Sequence, residues 1–317
     1  MRTSIRLFAG LLLLALPAAA QDKPEPTQKP FLWMIEGETP SFLYGTVHVP
    51  DERITTLPPV VIEAIDACDA LLCELKMDMA SQMAAAGKMM IPGGKSLKDV
   101  IPADLYQRLE AHMKKKGLPL APPFTQMKPA VVAGQVQMLD FMKDMMRGKK
   151  ALDQLLYEKA QKAGKKVDGL ETAEEQIAAF DALDGVEMLR QTLDQEEKAA
   201  GEGKKAMEQL LELYLAGDLE KIEAMYAQQM AEAPPEFREV FERELVVGRN
   251  KKMAERISAR LKEEPGTSYF FAVGTLHYPG EEGLLKLLEA AGHKLRRLSA
   301  EDAGTLSREP AGAGAPR

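Results

Sequence analysis

The apolar residues of this 317-residue chain form short runs near its two ends and helical periodicities between them. Close to the start, the runs FLWMIEG and PSFLYG flank the polar stretch EGETP, which predicts a β-hairpin beginning at Phe31. The run DALLCEL is continuous and apolar, which is typical of a strand buried on both faces. Near the end, TSYFFAVG and HKLRRLS predict two further strands, with a helix over roughly 281–291 between them.

The middle of the chain, from about residue 78 to 263, follows a mostly helical pattern. In PADLYQRLEAHMKKKG, for example, Leu105 and Leu109 are spaced four residues apart, and Gly117 provides a stop. One strand, GKKVDGLE at 164–171, interrupts this region and precedes the helix TAEEQIAAFDAL. The sequence therefore predicts an α/β fold, in which a central mixed sheet formed by the N- and C-terminal segments carries a large helical insertion.

The termini differ in composition from the rest. Residues 1–20 combine Arg2 and Arg6 with an apolar stretch and small residues before Ala20, which predicts a signal peptide cleaved after Ala20; an uncleaved anchor is the alternative. Residues 21–30 form a polar, proline-rich linker, residues 31–300 a single domain, and residues 301–317 a disordered tail. We expect a periplasmic or secreted protein with no transmembrane segment after cleavage.

The charge balance excludes one broad class of partner. The chain has 41 basic and 48 acidic residues. Loss of Arg2 and Arg6 leaves 39 and 48, a net charge of −9. A protein this acidic is not expected to bind nucleic acid. The sequence also lacks HExxH, Walker-type, GxGxxG and GxSxG motifs, which argues against a serine hydrolase or nucleotide enzyme.

Two distant segments repeat one pattern: FLYGTVHVP at 42–50 and FAVGTLHYP at 271–279. Each is an apolar run followed by a glycine (Gly45 or Gly274) and, three residues later, a histidine (His48 or His277). Ligands of open α/β sheets bind beyond the carboxyl ends of the strands, where imidazoles suit metal binding or acid–base chemistry. The alternative is two loop-capping histidines that share a motif by chance.

Three charged residues are candidates to complete such a site. Glu74 ends the buried strand DALLCEL, where a charge is costly unless it is paired, although it could also be solvated at the strand end. Glu171 ends GKKVDGLE, where it could instead complement a helix dipole. Arg249 opens a helix with Asn250 and could face an anionic centre, or simply lie on the surface.

Other residues that can carry chemistry have structural explanations. His112 and His293 are expected to be structural. Cys68 and Cys73 are expected to be buried small hydrophobes, with a disulfide as the alternative. The 18 methionines, clustered at 77–90 and 138–146, indicate packing or a peptide-binding groove rather than a copper(I) site.

The chain resembles the TraB/GumN family, which includes the Tiki-type proteases. The resemblance rests on LYGTVH, DALLCEL, GKKVDGLETAEEQ, GRNKKMAERI and FFAVGTLHYPGEEGLLKLLEAAGHKLRRL, and it extends from Phe31 to Leu298. It implies a fold shared with the erythromycin-esterase and ChaN-like groups, and metal-dependent proteolysis supported by manganese or cobalt in the Tiki branch. By position, His48 and His277 match the motif histidines, Glu74 the acidic residue after the second strand, and Arg249 the arginine of the RN motif.

Three functions follow as hypotheses. In the first, the protein is a metal-dependent hydrolase of a peptide or protein substrate, in which His48, Glu74 and His277 hold a divalent ion (Mn, Co or Zn) that activates water. Arg249 then stabilises the oxyanion, and Glu171 orients a histidine or takes a proton. In the second, a metal-independent, esterase-like hydrolase uses His48 as general base, with Glu74 fixing its tautomer. In the third, the protein binds a peptide or partner without turnover.

Overall fold

A computed structural model of the chain describes residues 24–198 and 202–306. It confirms the predicted α/β class, with one six-stranded mixed sheet in the described residues. The predicted signal peptide and residues 307–317 of the predicted tail lie outside the described residues. The strands are β1 Leu32–Ile35, β2 Ser41–Thr46, β3 Ala70–Leu75, β4 Lys166–Glu171, β5 Tyr269–Gly274 and β6 Leu295–Leu298.

The sheet joins the two ends of the chain, as the sequence predicts. Its strand order is β4-β3-β5-β2-β1-β6. Strands β4, β3, β5 and β2 run parallel, whereas β1 pairs antiparallel with both β2 and β6. The hairpin predicted from Phe31 is the β1–β2 pair, in which Leu32 lies opposite Tyr44. Strand β4 comes from the helical region but joins the same sheet, at one edge.

Helices cover this sheet and build the long insertion. In chain order they are α1 Glu52–Thr55, α2 Pro59–Ala67, α3 Met79–Met89, α4 Leu97–Val100, α5 Ala103–Lys115, α6 Pro129–Gln137, α7 Leu139–Met146, α8 Leu152–Lys162, α9 Ala173–Asp181, α10 Gly185–Lys198, α11 Glu202–Ala216, α12 Leu219–Ala231, α13 Pro235–Phe241, α14 Gly248–Glu263 and α15 Leu284–Ala290. A π-helical turn at Glu242–Val247 joins α13 to α14, and 3₁₀ turns include Thr275–His277 after β5 and Ala300–Asp302 after β6.

The buried apolar residues form two clusters. The larger surrounds the sheet and includes the apolar residues of β2, β3 and β5, which are buried on both faces as their continuous apolar runs predict. The second lies within the helical insertion and includes Leu105, Leu109, Val132, Leu189 and Leu193. Each cluster removes apolar surface from water, which is the dominant favourable contribution to folding.

The segments that border the domain make specific contacts. The backbone N–H of Ala300 donates to the carbonyl of Gln28, within the predicted linker. The N–H of Gly304, in the first part of the predicted tail, donates to Glu63 at 2.7 Å.

Cys68 and Cys73 are both buried and are not joined by a disulfide, as the default interpretation expected. None of the helices in the described residues is both long and apolar enough to cross a bilayer.

Gly45 marks the tightest packing between β2 and its surroundings. A Cβ added there would lie 2.9 Å from Cβ of Phe31 and 3.0 Å from Oγ1 of Thr275. Because Phe31 is fully buried at the start of the hairpin, the neighbouring chain has little room to move. The first motif glycine is therefore required for the approach of β1 and of the turn that follows β5.

We predict that Gly45→Ala destabilises the fold by about 1–3 kcal/mol, the usual cost of overpacking a well-filled core. Gly134→Ala is the matched control, because nothing lies within 4 Å of the corresponding Cβ in helix α6. That control should be neutral or stabilising by about 0.5–1 kcal/mol, since alanine is the better helix former. Urea unfolding of both variants tests this, and equal free energies of unfolding would contradict it.

Candidate active site

Three of the predicted residues meet at the carboxyl edge of the parallel strands. His48 follows β2, Glu74 lies in β3, and His277 lies in the turn after β5. Oε1 of Glu74 is 3.9 Å from Nε2 of His48 and 4.0 Å from Nε2 of His277. Two imidazoles from opposite ends of the chain therefore direct the same ring nitrogen toward one carboxylate oxygen, as predicted from the repeated motif.

The second motif glycine leaves space for this cluster. Gly274 ends β5, and its N–H donates to Oε1 of Glu74 at 2.7 Å. A Cβ at this position would lie 3.0 Å from the same oxygen and 3.6 Å from Nε2 of His48. Glycine thus supplies a backbone donor without a side chain in the gap that the two histidines face.

Arg249 holds the other side of Glu74. Its Nη2 donates to Oε2 of Glu74 at 2.6 Å and to Oε2 of Glu171, also at 2.6 Å. Its Nε donates to both Glu171 oxygens at 3.1 and 2.9 Å. All three residues are buried, with exposed fractions of 9% or less. A guanidinium clamped between two carboxylates satisfies charges that would otherwise be very costly to bury.

This arrangement changes the roles expected for two residues. Arg249 uses Nε and Nη2 on the two glutamates, so the geometry favours positioning of Glu74 over stabilisation of an oxyanion. Glu171 contacts Arg249 rather than a histidine. Its side chain is 1% exposed, so it serves as the buried counterion of the clamp.

Asp153 is a site residue that the sequence analysis missed. It lies in the first turn of α8 and is buried. Nδ1 of His48 donates to its Oδ2 at 2.7 Å, and Oγ1 of Thr46 donates to its Oδ1 at 2.6 Å. Asp153, rather than Glu74, is therefore placed to fix the tautomer of His48. An acidic residue in the first turn of a helix is an ordinary dipole partner, so its sequence position gave no distinctive signal.

Asn250 performs the corresponding task for His277. Asn250 is 1% exposed, and its Nδ2 donates to the carbonyl of Glu282 at 2.8 Å, which sets the orientation of the amide. Its Oδ1 then faces Nδ1 of His277 at 2.6 Å and accepts that proton. Each histidine is thus held through Nδ1, which leaves Nε2 directed toward Glu74.

The backbone before α14 brings Arg249 and Asn250 into position. The π-helical turn at Glu242–Val247 runs into Gly248, where an added Cβ would lie 2.8 Å from the carbonyl oxygen of Arg243. Consecutive helical residues point about 100° apart, so Arg249 reaches Glu74 while Asn250 reaches the other side of the cluster. Such π-turns occur often at functional sites.

The charges of the cluster follow from burial and pairing. Burial alone would favour the neutral form of Glu74, but His277, Arg249 and His48 outweigh it and lower the pKa of Glu74 to about 2. Burial also opposes the charged form of His48, yet the charge and hydrogen bond of Asp153, with the charge of Glu74, raise its pKa to about 9. Burial lowers the pKa of His277 to about 4, despite the attraction of Glu74. Glu74 is therefore an anion at neutral pH beside one cationic and one neutral imidazole.

A cavity of about 850 Å³ opens onto this cluster. Its wall includes His48, Glu74, Asp153 and Glu171. His48 lines this cavity, and its side chain is 60% exposed. The side chain of His277 is only 10% exposed. The cluster is accessible mainly through His48.

The remaining histidines make no hydrogen bond to the cluster. His112 is buried on α5, 3.8 Å from Glu196, and Nε2 of His293 contacts Oγ of Ser258 at 2.9 Å.

The methionine clusters are only partly packed. Met142 packs on the second apolar cluster, whereas Met83 on α3 is 69% exposed.

The donor set of the cluster suits a divalent cation. Imidazole nitrogens and carboxylate oxygens bind zinc at about 2.0–2.2 Å, so the gaps of 3.9 and 4.0 Å leave room for an ion between them. The Nδ1 contacts to Asp153 and Asn250 are the outer contacts that metal-binding histidines usually make. Within residues 24–198 and 202–306, no three His, Cys, Asp or Glu side chains are already gathered as a complete metal site. A site formed by His48, Glu74 and His277 stays a prediction.

Comparison with known proteins agrees with the resemblance noted in the sequence. The sequence model of the TraB/PrgY/gumN family matches residues 31–297, which is most of the chain and contains the whole cluster. The chain belongs to the TraB/PrgY/gumN family. No solved structure matches this family member.

The curated relatives of this TraB/PrgY/gumN protein are named as metalloproteases. Metalloprotease TIKI1 of Danio rerio is 28% identical over 323 aligned positions, covering 87% of this chain and 65% of the relative. Metalloprotease TIKI1 of Homo sapiens is 28% identical over 330 positions, covering 90% and 65%. The Metalloprotease TIKI homolog of Nematostella vectensis is 24% identical over 342 positions, covering 93% and 73%. The chain spans slightly less than two thirds of the length of these two vertebrate relatives.

We predict that Arg249→Met destabilises the protein by about 3–5 kcal/mol, because it leaves Glu74 and Glu171 buried without their counterion. Arg296→Met is the matched control, since Arg296 pairs with Asp302 and its side chain is 46% exposed. The control should cost less than about 1 kcal/mol. Guanidinium unfolding measures both, and a loss at Arg249 no larger than the control would show that the clamp is not needed for folding.

Proposed function

We propose that this protein is an exported, metal-dependent peptidase, periplasmic or secreted, that acts on protein substrates. The observation that carries this proposal is the convergence of His48 and His277 on Oε1 of Glu74, each imidazole directing Nε2 to the same oxygen. Family membership and the metalloprotease names of the relatives support the same reaction class.

His48, Glu74 and His277 would hold the ion. When bound, a divalent ion such as manganese, cobalt or zinc supplies Lewis-acid activation of water and of a peptide carbonyl. The protein contributes the orientation of its own groups. Asp153 and Asn250 accept hydrogen bonds from the Nδ1–H groups of His48 and His277, so the neutral form of each ring has its lone pair on Nε2. His277 is already neutral at neutral pH, whereas His48 must first lose the proton on its Nε2. This loss makes metal binding dependent on pH, with affinity rising as pH increases.

Glu74 stays ionised because three groups donate hydrogen bonds to its carboxylate. Gly274 donates to Oε1, Arg249 donates to Oε2, and Gln176 lies 3.4 Å from Oε2. Glu171 balances the positive charge of Arg249 and holds its guanidinium in place. The carboxylate of Glu74 therefore keeps a fixed position at the cavity wall. This preorganisation reduces the rearrangement needed when charge develops during reaction.

A metal-independent hydrolase is the second candidate, because the buried Asp153 and the accessible His48 form an Asp–His pair at 2.7 Å. That pair raises the pKa of His48 to about 9, which makes His48 a poor general base at neutral pH, and the same proton must be displaced before His48 can bind a metal ion. Activity that survives exhaustive chelation with EDTA would select the metal-independent enzyme. Peptide binding without cleavage, across metals and pH values, would select a binding protein instead.

We predict that the His48→Ala, His277→Ala double variant loses both metal binding and proteolysis. Wild-type protein loaded with manganese or cobalt should retain about one ion per molecule after desalting, as expected for a single site with several protein donors. His293→Ala is the matched control, since this histidine contacts Ser258 and no residue of the cluster. Elemental analysis measures the ion, and cleavage of fluorescein-labelled casein measures activity. Full metal content or undiminished cleavage in the double variant would contradict the assignment.

A further inference from the structure

Strand β4 lies at an edge of the sheet, next to the strand that carries Glu74. Among the residues that the structure describes, β4 has a neighbour on one side only. That neighbour is β3, with which it pairs in parallel from Ala70–Lys166 to Leu75–Glu171. An edge strand presents a row of backbone donors and acceptors on its open side, and other chains can pair with that row. β4 is therefore a possible template for an added strand close to the candidate active site.

The direction of the backbone groups in β4 can be read from its hydrogen bonds. The N–H of Lys166 donates to the carbonyl of Asp69 and so faces β3. Because backbone groups alternate sides along a strand, those of Val167 and Gly169 face the open edge. The N–H of Gly169 makes only a local bond, to the side chain of Asp168 at 3.0 Å. An incoming peptide carbonyl could replace that side-chain acceptor.

The cavity that contains His48 and Glu74 also reaches the carboxyl-terminal part of β4, where four of the six strand residues line it, although Lys166 and Val167 do not. Seven consecutive residues, 168–174, line it, from β4 into the start of α9. Successive strand residues point to opposite faces, so a cavity that touches them all must pass around the edge or end of the strand. Small side chains form much of the facing wall, including Ser81, Ala84 and Ala85 of α3 and Ala259 of α14. Small residues leave room for a backbone to approach β4.

We propose that the substrate binds as an extended peptide segment that pairs with the open edge of β4, which leads its backbone to the His48–Glu74–His277 cluster. This inference rests on the proposed peptidase function and specifies its substrate class: an unfolded or locally extended segment of a protein. The cavity that reaches residues 168–171 of β4 also contains His48 and Glu74. A substrate must reach those two side chains, whereas a second copy of the chain need not, so the occupant is a substrate.

The wall of the cavity carries side chains of both charges. Lys76, Arg256 and Arg260 line the cavity together with acidic side chains such as Asp168 and Glu263. Arg256 is paired with Glu175, and Arg260 lies 3.3 Å from Asp168. Acidic side chains outnumber basic ones in this wall by six to three, so side-chain charge favours peptides that carry basic residues. We expect recognition to depend on an accessible extended backbone more than on a particular sequence.

The test measures binding separately from cleavage. Short overlapping fluorescein-labelled peptides that cover β-casein are titrated with chelated wild-type protein, and fluorescence anisotropy reports binding. The tightest peptide is then synthesised with a single N-methyl group at each position in turn. Strand pairing predicts losses of about threefold to tenfold at every second residue, because each lost hydrogen bond costs about 0.5–1.5 kcal/mol. Uniform losses, no losses, or failure of every peptide to bind would overturn the inference.

Two variants of β4 provide the complementary arm. Val167 lies one residue before the part of β4 that lines the cavity. Val167→Pro removes an N–H that faces the open edge without removing a bond to β3, and proline is tolerated at such positions. Val167→Ala shortens the same side chain but keeps the N–H. The proline variant should bind the peptide about threefold to tenfold more weakly than the alanine variant. Equal affinities in two folded variants would overturn the proposal, as would a proline effect confined to self-association; if the proline variant unfolds, the N-methyl scan decides.

Cleavage of the same peptide with manganese or cobalt added distinguishes this inference from the function on which it rests. If N-methylation weakens binding at every second residue but the peptide is not cleaved, the proposed peptidase function is contradicted and pairing at β4 is supported. If the peptide is cleaved but N-methylation shows no alternating losses, pairing at β4 is contradicted and the peptidase function is supported.

Discussion

The parallel pairing of β2 with β5 is the contact from which the candidate site is built. In this register Thr46 lies opposite Gly274, so the ends of two strands from opposite ends of the sequence coincide. The pairing carries His48 and His277 to the same edge, and Oγ1 of Thr275 ties the two strand ends together by donating to the carbonyl of Thr46 at 2.9 Å. Strand β3 on the other side of β5 then supplies Glu74. Without this pairing, the repeated motifs would be unrelated loops.

A buried anion at the centre of the cluster explains why so many polar groups surround it. An isolated buried carboxylate would take up a proton rather than remain charged, because desolvation disfavours the ion. Glu74 stays ionised because Arg249 and the Gly274 N–H contact its two oxygens. Arg249 in turn needs Glu171 as a second counterion. The structure thus stabilises a fixed negative charge between two imidazoles, and the same groups that satisfy burial define where a cation can bind.

Much of this arrangement could be predicted from the sequence, because strand ends leave local signals. Continuous apolar runs that end in glycine, with histidine three residues later, identified Gly45, His48, Gly274 and His277, and a charge inside a buried run identified Glu74. The outer contacts left no comparable signal. Asp153 is 105 residues from His48 in the chain and occupies an ordinary helix-start position, so only the three-dimensional packing of α8 against the sheet places it in the site.

The contacts of Arg249 could likewise not be predicted from the sequence. Its position at the start of a helix, next to Asn250, indicated a site residue but not which charge it would meet. The π-helical turn before α14 sets its direction, and no local pattern in Glu242–Val247 predicts that turn. Side-chain identity can therefore be read from a sequence more readily than the contacts that decide its role.

The most direct measurement of the central claim is anomalous diffraction, at the cobalt absorption edge, from crystals of the protein loaded with Co²⁺. We predict one anomalous peak in contact with Nε2 of His48, Nε2 of His277 and the carboxylate of Glu74. We also expect Nδ1 of each histidine to keep its bond to Asp153 or Asn250. A peak bound elsewhere, or rings whose Nε2 atoms face away from Glu74, would contradict it.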